Sequence, residues 1–534
     1  MKHTPIFILL VFSNLLSSAQ SISWVSEAGG TTYDGAYDVV SDNTGGALLV
    51  GEFSGAMTLN GQTYSSAGGA DIFISHYDAT GNLAWVITAG GSGEDVGHQI
   101  AKGPNNEYIV DGEFENVITL GNTTLTSQGM QDIFLAKVNG NGNILWASSA
   151  GGSGLDEVNS VHVTQTGDIY ITGAFEGVAG FGPAAVTSAG MRDIFVSRIN
   201  FNGSYFWTSR AGGPLDDIGR GVAVNNNNDV LVTGFYQGTA QFGPNTFTSN
   251  NNSKDIFSSF FGASGQFLFT VSSGGPENDS AYETTADASG NFYVAGNFKG
   301  TVPFPVGVLN SQGDDDVFIY KIDPTGTYLW AQSAGGPGKD KAYSISVDNT
   351  FNLFVVGSFE GTADFDGQTV TSAGGEDVFM AAYDGSGSLN LVSASGGPQF
   401  DRAYGLHKEF GHAYVCGVFS ETALFGSLSL NSAGDNDAFI YKFEDPVGIA
   451  EFTADNIHLF PNPFIHSFFV DIEDRQPGDT MIEILDITGR LVYSTTLTGE
   501  DTINPGDIPD GIYEARIING SSFTSKKLIR SSSN

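Results

Sequence analysis

The chain has 534 residues, with 59 Asp or Glu against 21 Lys or Arg, for a formal net charge of −38. That balance excludes nucleic acid as a partner, because binding DNA or RNA needs basic side chains to displace counterions, and it equally disfavours bare anionic lipid. It suits divalent cations, cationic partners or neutral glycans, and the plainer reading is an acidic exterior that keeps a protein with 72 glycines soluble.

Lys2 and His3 precede an apolar run from Ile6 to Leu16 and then Ser17-Ser18-Ala19. This is the pattern of a secretory signal peptide over residues 1–19, cleaved between Ala19 and Gln20, and its core is too short for a membrane anchor. No later stretch approaches the ~20 apolar residues of a membrane-spanning helix, so no transmembrane segment is expected. The single cysteine, Cys416, allows no internal disulfide. It reads as a small core side chain, because its place in other copies of the repeat is taken by Val50, Asp111, Thr172, Thr233, Ala295 and Val356.

From residue 20 to 445 one stretch is written seven times. Its opening Asp stands at Asp34, Asp95, Asp156, Asp217, Asp279, Asp340 and Asp401, in steps of 61 or 62 residues. A third-strand Phe keeps the same step at Phe73, Phe134, Phe195, Phe257, Phe318, Phe379 and Phe439, each two residues after another Asp. In the copy from Asp340 to Gly397, alternating apolar and polar runs flank a D-x-x-x-N turn and then a D-G-S-G-S turn, which predicts two hairpins, or four strands. Such a unit cannot bury both faces alone, so copies must stack. The fourth-strand marker Trp24 precedes any first strand, and the last copy stops after its third strand. Pairing Ile22 to Ala28 with the strand around Phe439 would complete the last copy and leave no free edge. The expected fold is therefore all-β, a seven-bladed β-propeller with the N-terminal strand closing the last blade. A linker, 446–456, follows, and the short alternating strands of 457–534 predict a small Ig-like β-sandwich.

Two resemblances add to this reading. Phe460 to Phe464 (F-P-N-P-F), Asp486 to Arg490 (D-I-T-G-R), Gly511 to Tyr513 (G-I-Y) and Lys526 to Ile529 (K-K-L-I) resemble, in the same order, the C-terminal sorting domain of type IX secretion cargo. The resemblance implies carriage through the outer membrane by the type IX machinery, usually with removal of the domain and release or attachment to surface lipopolysaccharide. Asp279 to Gly296 and Asp340 to Gly357 are similar to the bacterial β-propeller repeat called SBBP, which implies a fold but no activity.

Catalytic signatures are lacking: there is no H-E-x-x-H, G-x-S-x-G, P-loop or calcium-loop motif. Asp314-Asp315-Asp316 comes nearest to calcium ligation and reads as a solvated charge run, so no cofactor is expected, and calcium stays open without a motif to indicate it. The seven opening Asp residues recur in every repeat, which points to a fold device that accepts turn N–H groups rather than to a catalytic site. Function is better sought where the copies differ. Three residues after each opening Asp stand Tyr37, His98, Asn159, Arg220, Tyr282, Tyr343 and Tyr404. Alternation puts each on the face of the residue two further on, Val39, Ile100, Val161, Val222, Thr284, Ile345 or Leu406, and the seven would encircle a channel mouth. There the tyrosines would stack on a neutral sugar or peptide that His98, Asn159 and Arg220 orient; the alternative is that they only pack between blades. The leading reading is a secreted or surface-attached, non-enzymatic module that binds an extracellular glycan or protein. Its rivals are a polysaccharide lyase or glycosidase, for which Glu157 and Glu283 are the acids at non-repeating positions, and a structural adhesion protein acting through cations.

Overall fold

Alternation of apolar and polar residues makes strands, and strands dominate the computed structural model; two 3₁₀ turns, Pro104–Asn106 and Asn250–Asn252, are its only helical segments among the described residues. The structure describes residues 21–348, 351–409 and 411–444, and most of 457–531. The expected leader 1–19 with its Ala19–Gln20 cleavage site, and the linker 446–456, lie outside the described residues. The chain divides into two compact units, one spanning Gln20–Asp445 and one holding Pro446–Asn534.

In the first unit each repeat forms an antiparallel sheet of four strands in chain order, as in Lys341–Val347, Leu353–Phe365, Gln368–Tyr383 and Leu389–Ser395. The seventh repeat has three strands of its own, Arg402–Glu409, His412–Phe425 and Leu428–Glu444, and its fourth neighbour is Ser21–Gly30, which pairs antiparallel from Ile22↔Phe443 to Ala28↔Ala438. Second and third strands are buried on both faces over the segments between neighbouring sheets, as at Leu353 to Phe359 and Asp377 to Tyr383; Phe292–Phe298 is buried at every position. That is why these strands read as apolar runs rather than as clean alternation. The cores accordingly lie between repeats: Val50 and Ile74 of the first pack with Val110 and Phe134 of the second, and Tyr293 and Ile319 of the fifth with Val355 and Phe379 of the sixth.

First strands pack in series. Asp34–Ser41 touches Val96–Lys102, which touches Asp156–Val163, and so on to Arg402–Glu409, which packs back against Asp34–Ser41. Between second and third strands the chain makes a further hairpin, and the glycines that end the preceding fourth strand pair with it, as in Gly151↔Gly180 and Gly152↔Ala179.

In the second unit, Ile457–Phe460, Phe468–Ile472 and Asp501–Ile503 form one sheet, and Leu491–Leu497, Thr480–Asp486, Gly511–Asn519 and Ser522–Arg530 another. Phe468, Val470, Ile482, Ala515 and Leu528 share one core between them.

Candidate functional site

Every first strand carries a β-bulge at the same place. In the first repeat Ala36 pairs with Gly51 and Asp38 with Val50, so Tyr37 has no partner; the register skips His98, Asn159, Arg220, Tyr282, Tyr343 and Tyr404 in the same way. A bulge re-aims a side chain out of the pleat. This corrects the expectation from simple alternation: the seven residues do not share a face with Val39 and its counterparts. Val39 is buried in the core at 2% exposure, while all seven bulge residues are half-buried.

The bulges bring six of the seven into one contact chain. Ring centroids lie 5.9 Å apart for Tyr37 and His98, 5.6 Å for Tyr37 and Tyr404, 5.1 Å for Tyr404 and Tyr343, and 5.4 Å for Tyr343 and Tyr282. The Arg220 guanidinium sits 5.4 Å from the Tyr282 ring. Asn159 turns sideways, its Nδ2 donating to the Gly219 carbonyl at 3.0 Å, beside Arg220.

A second tier comes from the residue after each bulge. Asp38 Oδ2 accepts the Ile100 N–H (2.9 Å), Gln99 Oε1 the Val161 N–H (3.0 Å) and Ser160 Oγ the Val222 N–H (3.1 Å), each reaching into the next repeat. The fourth and seventh repeats have Gly221 and Gly405 here, where a Cβ would lie 2.9 Å from Thr284 N and 2.6 Å from the Asp38 Cα. Across those two junctions the following strand's own carboxylates, Glu283 and Asp38, accept the Thr284 and Val39 N–H groups instead. Gln99 also donates from Nε2 to Glu283 Oε2 at 3.0 Å, joining the second repeat to the fifth, and its N–H goes to Asp111 Oδ1 at 3.0 Å. Burial raises the carboxyl pKa of Asp38 to about 7 and those of Asp111 and Glu283 to about 8. The two acids singled out for an enzymatic reading thus differ: Glu283 sits among these protonatable groups, whereas Glu157 is salt-bridged to Arg192 at 3.2 Å.

Around the bulge residues lie charges that reading along one strand missed. Glu52 accepts the Tyr37 hydroxyl, and Glu113 accepts the Val158 N–H at 3.0 Å and holds His98 Nε2 at 2.6 Å. Burial opposes charge on His98, but Glu113 prevails and lifts it to about 9. Both glutamates occupy the variable position of G-x-F, where the other copies have Ala174, Phe235, Asn297, Ser358 and Val418. On the other side Arg192 pairs with Asp216 (3.0 Å), Lys341 with Asp315 (3.2 Å) and Arg402 with Glu376 (2.7 Å).

The opening Asp residues lie apart from this belt, at the junctions. Asp217 Oδ2 accepts the Gly213 N–H at 2.6 Å and Oδ1 the Gln237 N–H at 2.9 Å; Asp95, Asp156, Asp279, Asp340 and Asp401 each hold the glycine N–H four residues before them. Asp34 is buried beside Asp437. No group of three or more His, Cys, Asp or Glu among the described residues is placed to hold a metal ion.

Residues 458–531 match the family described as the secretion system C-terminal sorting domain. This tail indicates export to the cell surface or beyond and implies contact with the type IX secretion machinery. No helix among the described residues is long and apolar enough to cross a membrane. An uncharacterized WD repeat-containing protein of Acanthamoeba polyphaga mimivirus is 21% identical over 359 residues, and the match covers 54% of this chain but only 26% of that protein's length. Among solved structures, the extracellular domain of a one-component system from B. thetaiotaomicron is 11% identical, with a TM-score of 0.20 over 93% of this chain and 79% of that one. A Bacteroides thetaiotaomicron protein of unknown function is 12% identical, with a TM-score of 0.26 over 77% and 98%. Likeness at such TM-scores decides nothing about the architecture.

Proposed function

We propose that residues 20–445 are a seven-bladed β-propeller of the SBBP type that binds an extracellular glycan or protein at one mouth of its central channel, without catalysing a reaction. In this reading residues 1–19 are a signal peptide, 446–456 a linker, and 457–534 an Ig-like sandwich that serves as the sorting domain. The serial packing of the first strands, with the seventh against the first, supports closure, and so does the N-terminal strand beside the seventh repeat. The Gln99–Glu283 bond then makes a floor beneath the mouth, so a ligand enters and leaves from one side.

The binding reading rests on the contact chain from His98 through Tyr37, Tyr404, Tyr343 and Tyr282 to Arg220. Half-buried rings with polar groups at both ends present apolar faces and orienting hydrogen-bond partners together, as ligand sites do. The test is a screen of the full chain against arrayed glycans and extracellular proteins, with and without calcium, and product analysis of every polysaccharide hit. Saturable binding without turnover, weakened at least about tenfold in a folded Tyr343→Leu, Tyr404→Leu variant, is expected. Cleavage of a polysaccharide, or binding untouched by those substitutions, would overturn the reading.

A further inference from the structure

Acidic side chains outnumber basic ones, 59 to 21, so a basic group left without a carboxylate is out of the ordinary in this chain. Arg192, Lys341 and Arg402 beside the belt are each salt-bridged. Arg220 and Lys254 form no ion pair among the described residues, although both are half-buried and both belong to the fourth repeat. Arg220 Nε is buried with no hydrogen-bond partner, and the only ring contact of its guanidinium among the described residues is with Tyr282. The Lys254 ammonium lies 4.3 Å from the Phe235 ring. Burial, and after it the neighbouring Arg220, hold the Lys254 amine below its usual pKa range, against the weaker pull of Asp216, which is itself salt-bridged to Arg192. Two like charges, each partly withdrawn from water, are unfavourable in the free protein, and an anion placed between them relieves both the repulsion and the lost hydration.

The groups nearby suit a sugar. Tyr282 and Tyr343 offer ring faces and hydroxyls, and Glu52 and Glu113 across the belt are acceptors for hydroxyl groups. A guanidinium fork matches a carboxylate or sulfate with two parallel hydrogen bonds, and an ammonium beside it adds a point charge. We propose that Arg220 and Lys254 form an oxyanion subsite in the belt that takes the carboxylate or sulfate of an acidic saccharide, whose ring rests against Tyr282 and Tyr343. This rests on the belt being the binding site, and it reverses at one spot what the overall charge implies: a strongly acidic protein holds a local seat for an anionic ligand.

The experiment titrates the full chain by calorimetry with tetragalacturonate, a sulfated heparin tetrasaccharide and neutral cellotetraose. One anionic probe is expected to bind at least about tenfold more tightly than the neutral one, and Arg220→Gln with Lys254→Gln to remove that advantage. Whichever anionic probe binds identifies carboxylate or sulfate. Should the double variant fail to fold, Lys254→Met alone is expected to weaken the anionic probe at least about threefold. Anionic probes that bind no better than cellotetraose, or that bind the folded variants like the parent, overturn the subsite. If neutral glycans or proteins still bind at the belt, the wider reading survives that result; if nothing binds, both fall.

Discussion

Asp111 places one carboxylate oxygen on the Gln99 N–H and leaves the other, fully buried, without a partner. Burial raises it and Glu283 to about 8, and Asp38 to about 7, so the folded protein keeps protons that the unfolded chain gives up near pH 4. Raised folded-state values mean that this contribution to stability is complete below about pH 4 and is lost as pH climbs through about 7 to 8. Asp111→Asn keeps the Oδ1 acceptor and puts an amide where the oxygen has no partner. Urea midpoints should match the parent at pH 4 and favour the variant at pH 9 by on the order of 1–2 kcal/mol; a pH-independent difference would rule out a titrating Asp111. Cys416 is fully buried between Tyr414 and Ile440, and burial pushes its thiol well up, so it should resist thiol reagents in the native state and react only on unfolding. The seven belt residues are legible in the sequence for one reason: seven copies align, and this position differs among them. Asp38 and Gln99 are not, because the bulge that turns two consecutive side chains away from the pleat leaves the spacing of the opening Asp unchanged.

Between repeats, small devices recur. Asp217 ties the glycine turn behind it to the second strand ahead of it, and Asp217→Ala would strand two N–H groups, at Gly213 and Gln237. The expected cost is about 2–4 kcal/mol in a thermal or urea melt, with Asp217→Asn costing less because one acceptor remains. A loss no larger than that of an exposed Asp→Ala control would dismiss the tie. Trp85 Nε1 donates to the Gly140 carbonyl of the following repeat at 3.0 Å, and Trp146, Trp207 and Trp330 make the same bond to Phe201, Ala263 and Gly385. Trp85→Phe should therefore cost about 1 kcal/mol beyond its packing loss. Spacing and alternation make the four strands of a repeat legible. The extra hairpin between second and third strands is hidden, because its anchor to the previous repeat is only two glycines long, as at Gly151 and Gly152, too short for any periodicity to register.

Across the whole first unit, one strand decides whether the last sheet has a bare edge. Ser21–Gly30 covers the end of Leu428–Glu444 from Ala438 to Glu444, Trp24 packs 6.0 Å from Tyr77 of the first repeat, and Gly29 and Gly30 pair with Thr58 and Met57. The order of the markers makes this pairing legible, since a fourth-strand Trp stands ahead of any first strand. A chain that starts at Thr31 would expose the backbone of Leu428–Glu444 as a template for another copy. Whether copies then join depends on charge, because a net −38 repels over roughly 30 Å at 0.01 M salt and only about 8 Å at 0.15 M. The truncated protein should stay dispersed at low salt and self-associate on moving to physiological salt, as read by light scattering, while the parent shows no such step. A peptide of Ser21–Gly30 added in excess should cap the edge and suppress the association. If the truncated chain remained monomeric at both salts and melted like the parent, the strand would be an ornament on the seventh repeat rather than part of its sheet, and the proposal of a closed ring would lose its main support.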